Sequence, residues 1–163
     1  MRLLIHSALL VLTAVSGIAQ NITPEIKQDV GGFKLNLDQA NRICGAMAEL
    51  TGYTLKQPNW QQDLMDRMKK PLSEQAKDLA ADPGSVAILR KHRLEAREYV
   101  PGILALRAAV LAAKGQTSGW GSLASPANIA LVKSSPALVQ KFEAAEMTGV
   151  SSVRGGKSSN VNR

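Results

Sequence analysis

A chain of 163 residues carrying 20 Lys and Arg against 13 Asp and Glu, a formal net charge of +7, has room for one domain with a real core and not for two. The single cysteine, Cys44, excludes an internal disulfide. With only His6 and His92 beside it, the Cys/His clusters that hold zinc are excluded too, so no metal or cofactor is expected and packing alone must hold the fold.

The chain opens as a secretory signal peptide. Arg2 supplies the basic start, Leu3 to Val15 form a short apolar run, and Gly17 and Ala19 are the small residues at −3 and −1 of a cleavage site. Cleavage after Ala19 is expected, with Gln20 as the first mature residue. The run is interrupted by His6, Ser7 and Thr13 and falls short of the roughly 20 apolar residues that a spanning helix needs. Removing 19 of 163 residues leaves 144, expected to be secreted and periplasmic with no transmembrane segment. Gln20, not a cysteine, stands directly after the cut, so no lipid anchor is expected.

Residues 20–34 contain Thr23-Pro24 and Gly31-Gly32 and read as an extended N-terminal arm, followed by one helical domain over 35–149. Asn36 with Gln39 resembles a capping box, and Leu37, Ala40, Cys44, Met47 and Ala48 share a helical face that ends near Gly52. After Pro58, Trp60, Leu64 and Met68 repeat every four residues up to Pro71. Ser73 and Glu74 open a helix with Ala76, Leu79 and Ala80, and Asp82-Pro83 opens another that carries Val86 and Leu89 toward His92.

A turn at Arg93 and Leu94 leads into the segment from Tyr99 to Ala113, apolar on nearly every side, which is the pattern of a helix surrounded by others. Pro101 falls in its first turns, where a missing amide costs least, and Gly115 marks its end. A loop with Gly119, Trp120 and Gly121 precedes two further helices, each opened by a Ser-Pro step, at Ser125-Pro126 and Ser135-Pro136. No segment alternates with the period of a strand. The expected fold is all-α, a compact bundle of about five to seven helices around a central apolar helix. Residues 150–163, rich in Ser, Gly and Asn and carrying Arg154, Lys157 and Arg163, read as a disordered tail.

Few residues could carry chemistry. Gly155-Gly156-Lys157-Ser158 imitates the end of a phosphate-binding loop, but Ser151 stands where that motif needs glycine. His92 lies among basic residues and lacks a sequence context for a triad, so no catalytic residue is assigned. Arg107 interrupts the apolar helix beside Leu104, Leu106 and Val110, and a guanidinium there needs an anion. A neighbouring carboxylate such as Glu49 is the simpler partner, and the carboxylate or phosphate of a ligand between helices is the sharper one. Tyr99 and Trp60 read as core residues with a polar tip, and Trp120 as a residue packed over the end of the bundle or, alternatively, as a lid or exposed contact. Arg107, Tyr99 and Trp120 are thus the ligand-binding candidates. Arg90, Lys91, Arg93 and Arg97 form a basic cluster that reads as a solvated face or as a contact for an anionic surface.

At Arg97-Glu98-Tyr99, the apolar helix after it and the segment Pro126-Ala127-Asn128-Ile129-Ala130-Leu131-Val132, the chain resembles a loose group of small secreted, all-helical bacterial proteins of unknown function. It departs from the group at Glu95, where Ser or Thr is usual, and at Leu131, where Phe is usual. The resemblance implies a periplasmic helical domain and carries no catalytic residue across. The expected activity is binding of a small amphipathic anion or an anionic envelope polymer rather than of nucleic acid. A hydrolase-like envelope enzyme and a structural partner subunit are the alternatives.

Overall fold

A computed structural model describes residues 22–155, with side chains through Thr148. The signal peptide, its cleavage point at Ala19 and Gln20, and residues 156–163 of the tail lie outside the described residues. Eight α-helices and one 3₁₀ turn appear among the described residues, with no strand: α1 (Pro24–Gly32), α2 (Leu37–Thr54), α3 (Trp60–Met68), α4 (Leu72–Ala81), α5 (Pro83–Lys91), α6 (Ala96–Ala113), the 3₁₀ turn (Gly119–Leu123), α7 (Pro126–Lys133) and α8 (Pro136–Gly155). The fold is all-α as expected, with one helix more than the five to seven foreseen.

The additional helix is α1, which replaces the extended arm expected over 20–34. Thr23 accepts from the Ile26 amide at 3.2 Å, Pro24 sits at the first position, and Val30 is buried, so the segment has a cap, a start and an anchor. Its two glycines fall at the C-terminal end, where they do not interrupt the helix. The same cap operates at Asp82, which accepts from Ser85 N at 2.9 Å, and at Ser125, which accepts from Asn128 N at 3.2 Å. Asn36 likewise accepts from Gln39 N at 2.8 Å. The capping box there is only half formed, because the Gln39 side chain donates to Glu98 on α6 instead of turning back. α4 begins at Leu72, directly after Pro71 and without a side-chain cap, one residue before the Ser73 start expected.

α6 is the axis. It buries Tyr99, Val100, Ala105, Leu106, Ala108 and Ala109 among others and packs against α1, α2, α4, α5, α7 and the 3₁₀ turn. Its alanines let neighbours approach closely, and Gly102 does so further: a Cβ there would lie 2.7 Å from Ile43 Cδ1 and 3.2 Å from the Phe33 ring. α2 carries the second layer, packed on α5, α6 and α8. Leu106, Ile43, Leu138 and Phe142 are fully buried, each stabilising the fold by about 1.5–3 kcal/mol.

The C-terminal ends of α5 and of α6 close with the same six-to-one hydrogen bond. Leu94 N donates to Leu89 O and Arg93 N to Arg90 O, with Arg93 at φ 53, and Gln116 N donates to Leu111 O with Gly115 at φ 86. α3 forms where the four-residue spacing places it, yet it buries no residue. Trp60 is half-buried rather than core, and Leu64 and Met65 are exposed on a helix that packs against α4 alone among its stronger neighbours. α8 continues to Gly155, past residue 150 where an unstructured tail was expected.

Candidate functional site

α4 meets α5 at the Asp82 cap, α5 meets α6 at the left-handed turn of Arg93, and each of the three helices packs against the other two. α1 rests on α6 beside them, held at its C-terminal end by Asn128 of α7. The buried Asn128 amide accepts from Leu35 N at 3.0 Å and donates to Phe33 O at 2.8 Å, so it pins the backbone on either side of Lys34. A groove of about 950 Å³ opens between α1, α4, α5 and the start of α6, a size at the upper end of the roughly 300–1,000 Å³ of small-molecule sites.

Phe33, Leu72, Ala76, Val86, Leu89 and Pro101 give the groove an apolar lining. Its charged side chains are Lys77, Arg90 and Arg97 against Asp29 and Glu95. Arg97 Nε lies 2.7 Å from Glu95 Oε2, and Lys77 Nζ lies 2.7 Å from Glu74 Oε1, which raises the Lys77 ammonium above its ordinary value. Both pairs are exposed and screened by water. Arg90 is exposed and has no acidic partner among the described residues.

The basic cluster therefore divides. Arg90 and Arg97 line the groove, whereas Lys91 turns to α2 and donates to both oxygens of Glu49 at 2.8 and 2.9 Å. Arg93 holds the left-handed position of the turn, and its carbonyl accepts from Arg42 Nη1 at 2.8 Å.

Arg107, Tyr99 and Trp120 lie away from this groove. Arg107 is paired within the fold, its Nε and Nη2 donating to Glu146 Oε1 on α8 at 3.1 and 2.6 Å. The partner is thus a carboxylate of a neighbouring helix, but Glu146 rather than Glu49. Tyr99 is buried in the core, and burial holds its phenol well above the usual tyrosine range, with the Arg107 charge acting the other way. Trp120 is buried in the 3₁₀ turn against α6 and is not a lid; its indole Nε1 finds no acceptor among the described residues. Cys44 is buried, and desolvation pushes its thiol up to about 11, so it behaves as a small hydrophobe.

His92, which the sequence places among basic residues, has a carboxylate beside it. Its Nε2 lies 2.9 Å from Glu49 Oε1, and the hydrogen bonds from Lys91 and then His92 hold the Glu49 carboxyl below its ordinary value. The other edge of the ring lies over Gly45 of α2, where a Cβ would meet Cε1 at 2.6 Å and Nδ1 at 2.8 Å. That edge faces a helix surface, so the Glu49–His92 pair joins α2 to α5, and among the described residues no hydroxyl is hydrogen-bonded to it for activation. Among the described residues no group of three His, Cys, Asp or Glu side chains is placed to hold a metal ion.

The lining residues Phe33, Leu72, Ala76 and Val86 were not singled out as functional by the sequence. Leu72, Ala76 and Ala80 do share a face at four-residue spacing, but that spacing alone does not separate a groove wall from a core face. No helix among the described residues is long and apolar enough to cross a membrane. The chain matches no family model, no curated protein and no solved structure, so the site rests on its own geometry.

Proposed function

We propose that this chain is an exported, periplasmic binding protein whose groove between α1, α4, α5 and α6 takes a small amphipathic anion. The observation that carries the reading is an open apolar groove bordered by three cations against two acids. An apolar lining removes a hydrocarbon surface from water, at about 25 cal/mol per Å² of surface covered, while the cationic surplus favours a negative headgroup. The signal-like start of the chain supports export, and the resemblance at Arg97-Glu98-Tyr99 and at Pro126 to Val132 supports the periplasmic assignment.

Ala80 supplies the test, because it lines the groove yet is exposed, so that a large side chain there fills the groove without entering the core. Native mass spectrometry is to be run on the protein purified gently from the periplasm of its source, beside Ala80→Trp of unchanged helical circular dichroism. An extra mass on the wild type that is missing from Ala80→Trp supports the reading. A bare wild-type protein, or an adduct that survives in Ala80→Trp, overturns it. Co-purification of a second protein that depends on the exposed Leu64 and Met65 of α3 would favour a structural partner subunit instead.

A further inference from the structure

Resting on the groove reading, we infer that the occupant is a single-chain fatty acid, its carboxylate on Arg90 and its alkyl chain along the apolar lining. The composition of the lining selects the chain. Apart from the charged side chains, Ser73 is the one polar residue among those lining the groove, and the rest are aliphatic except for Phe33. A sugar or peptide presents a hydrogen-bonding group every few ångströms, and each one left without a partner on leaving water weakens binding; an alkyl chain presents none. Nor does the lining offer a stack for a planar ring, since it contains no Trp, Tyr or His and the Phe33 ring is lodged against Gly102.

Charge selects the headgroup and its place. Lys77 is engaged by Glu74 and Arg97 by Glu95, which leaves Arg90 as the one lining cation with no acidic partner among the described residues. One unengaged guanidinium matches one negative charge, and its planar fork matches the two oxygens of a carboxylate. A phosphate monoester, with nearly two charges, would have to draw Arg97 off Glu95. Asp29 makes the α1 wall repel an anion, so the headgroup goes to the α5 wall, where Arg90 stands, and the chain runs from there along the lining.

Isothermal titration of the purified exported chain with decanoate and decyl phosphate below their micelle concentrations and decanol below its solubility limit separates the terms. Decanoate is expected to bind about ten- to a hundred-fold more tightly than decanol, the range of one charge-assisted hydrogen-bonded contact, and at least as tightly as decyl phosphate. Arg90→Gln should bring decanoate to the level of decanol and leave decanol unchanged. Arg93→Gln, in the neighbouring turn outside the groove, should alter neither, and Ala80→Trp should weaken all three. Equal binding of decanoate and decanol, both lost in Ala80→Trp, overturns the carboxylate inference while leaving the groove reading standing. So does decyl phosphate binding ten-fold more tightly than decanoate. Absence of binding by all three to the wild type overturns the ligand class, and the native adduct and its fate in Ala80→Trp then decide the groove reading separately.

Discussion

Arg107 shows how one side chain can look like a ligand site and be a joint of the fold. The guanidinium and the Glu146 carboxylate are each about three-quarters buried, at 24% and 30% relative exposure, and two hydrogen bonds connect them. Removing the acid leaves a charge largely out of water, so Glu146→Ala should lower unfolding stability by about 1–2 kcal/mol, less than for a fully buried pair because water still reaches it. Arg107→Met combined with Glu146→Leu removes both charges and should recover most of that loss. A urea double-mutant cycle reads the difference, and additive effects in the cycle would show that the pair contributes nothing jointly. Two glycines make the complementary test of packing. At Gly52 a methyl group would have nothing within 4 Å of it, so Gly52→Ala should stabilise α2 by about 0.5–1 kcal/mol through helix propensity. At Gly102 the same change meets the fully buried Ile43 and the Phe33 ring and should cost about 1–2 kcal/mol after the propensity gain. Thermal melts of the two variants should move in opposite directions.

Between elements, the most consequential polar contact is the Asn128 clamp on the α1–α2 connection. Asn128 is 1% exposed, and its amide serves one backbone donor and one backbone acceptor, Leu35 N and Phe33 O. Asn128→Leu keeps the volume and strands both groups, which should cost about 2–3 kcal/mol and release α1 before the rest of the fold. Hydrogen exchange should show protection lost selectively over Pro24–Gly32; loss spread evenly over α6 and α8 would contradict a local clamp. Much of this element-level plan is legible in the sequence, because caps are local: Asn36, Asp82 and Ser125 announce their helices and the structure uses each one. α1 carried the same signal in Thr23-Pro24, with Ile22, Ile26 and Val30 at four-residue spacing, but the two glycines and the short span masked it. The fate of a polar side chain is not local. Arg107 visibly needs an acid, yet the choice of Glu146, 39 residues away, depends on how α8 docks, and the groove draws its walls from four helices.

For the molecule as a whole, titration bounds the range over which the bundle is stable. On the acid side, hydrogen bonds from Lys91 and then His92 hold Glu49 below its ordinary 4.5. Burial pushes Asp82 up, but the hydroxyl and amide of Ser85 and the Tyr53 hydroxyl outweigh it and keep the group below 3.8. With folded values depressed, the unfolded chain takes up protons first, so the stability these groups supply above about pH 5 is lost as pH falls through their folded values. The alkaline side is set in the core. Cys44 is raised from an ordinary 9.0 to about 11 by burial, with Lys141 and a backbone hydrogen bond opposing, and Tyr99 is raised further by the same cause. Here the unfolded chain loses its protons first, so stability should fall as pH rises from about 9 toward 11, leaving a plateau between about pH 5 and 9. Cys44→Ala separates the thiol from everything else. The variant loses a buried sulfur contact and should be less stable at pH 7 by about 1 kcal/mol, but it has no thiol to ionise in the unfolded state. Its urea midpoint should therefore converge on that of the wild type between about pH 9 and 11, with Tyr99 still titrating in both. Parallel curves over that interval would mean that the Cys44 thiol ionises as readily inside the fold as outside it, and that α2, α6 and α8 do not exclude water from the sulfur.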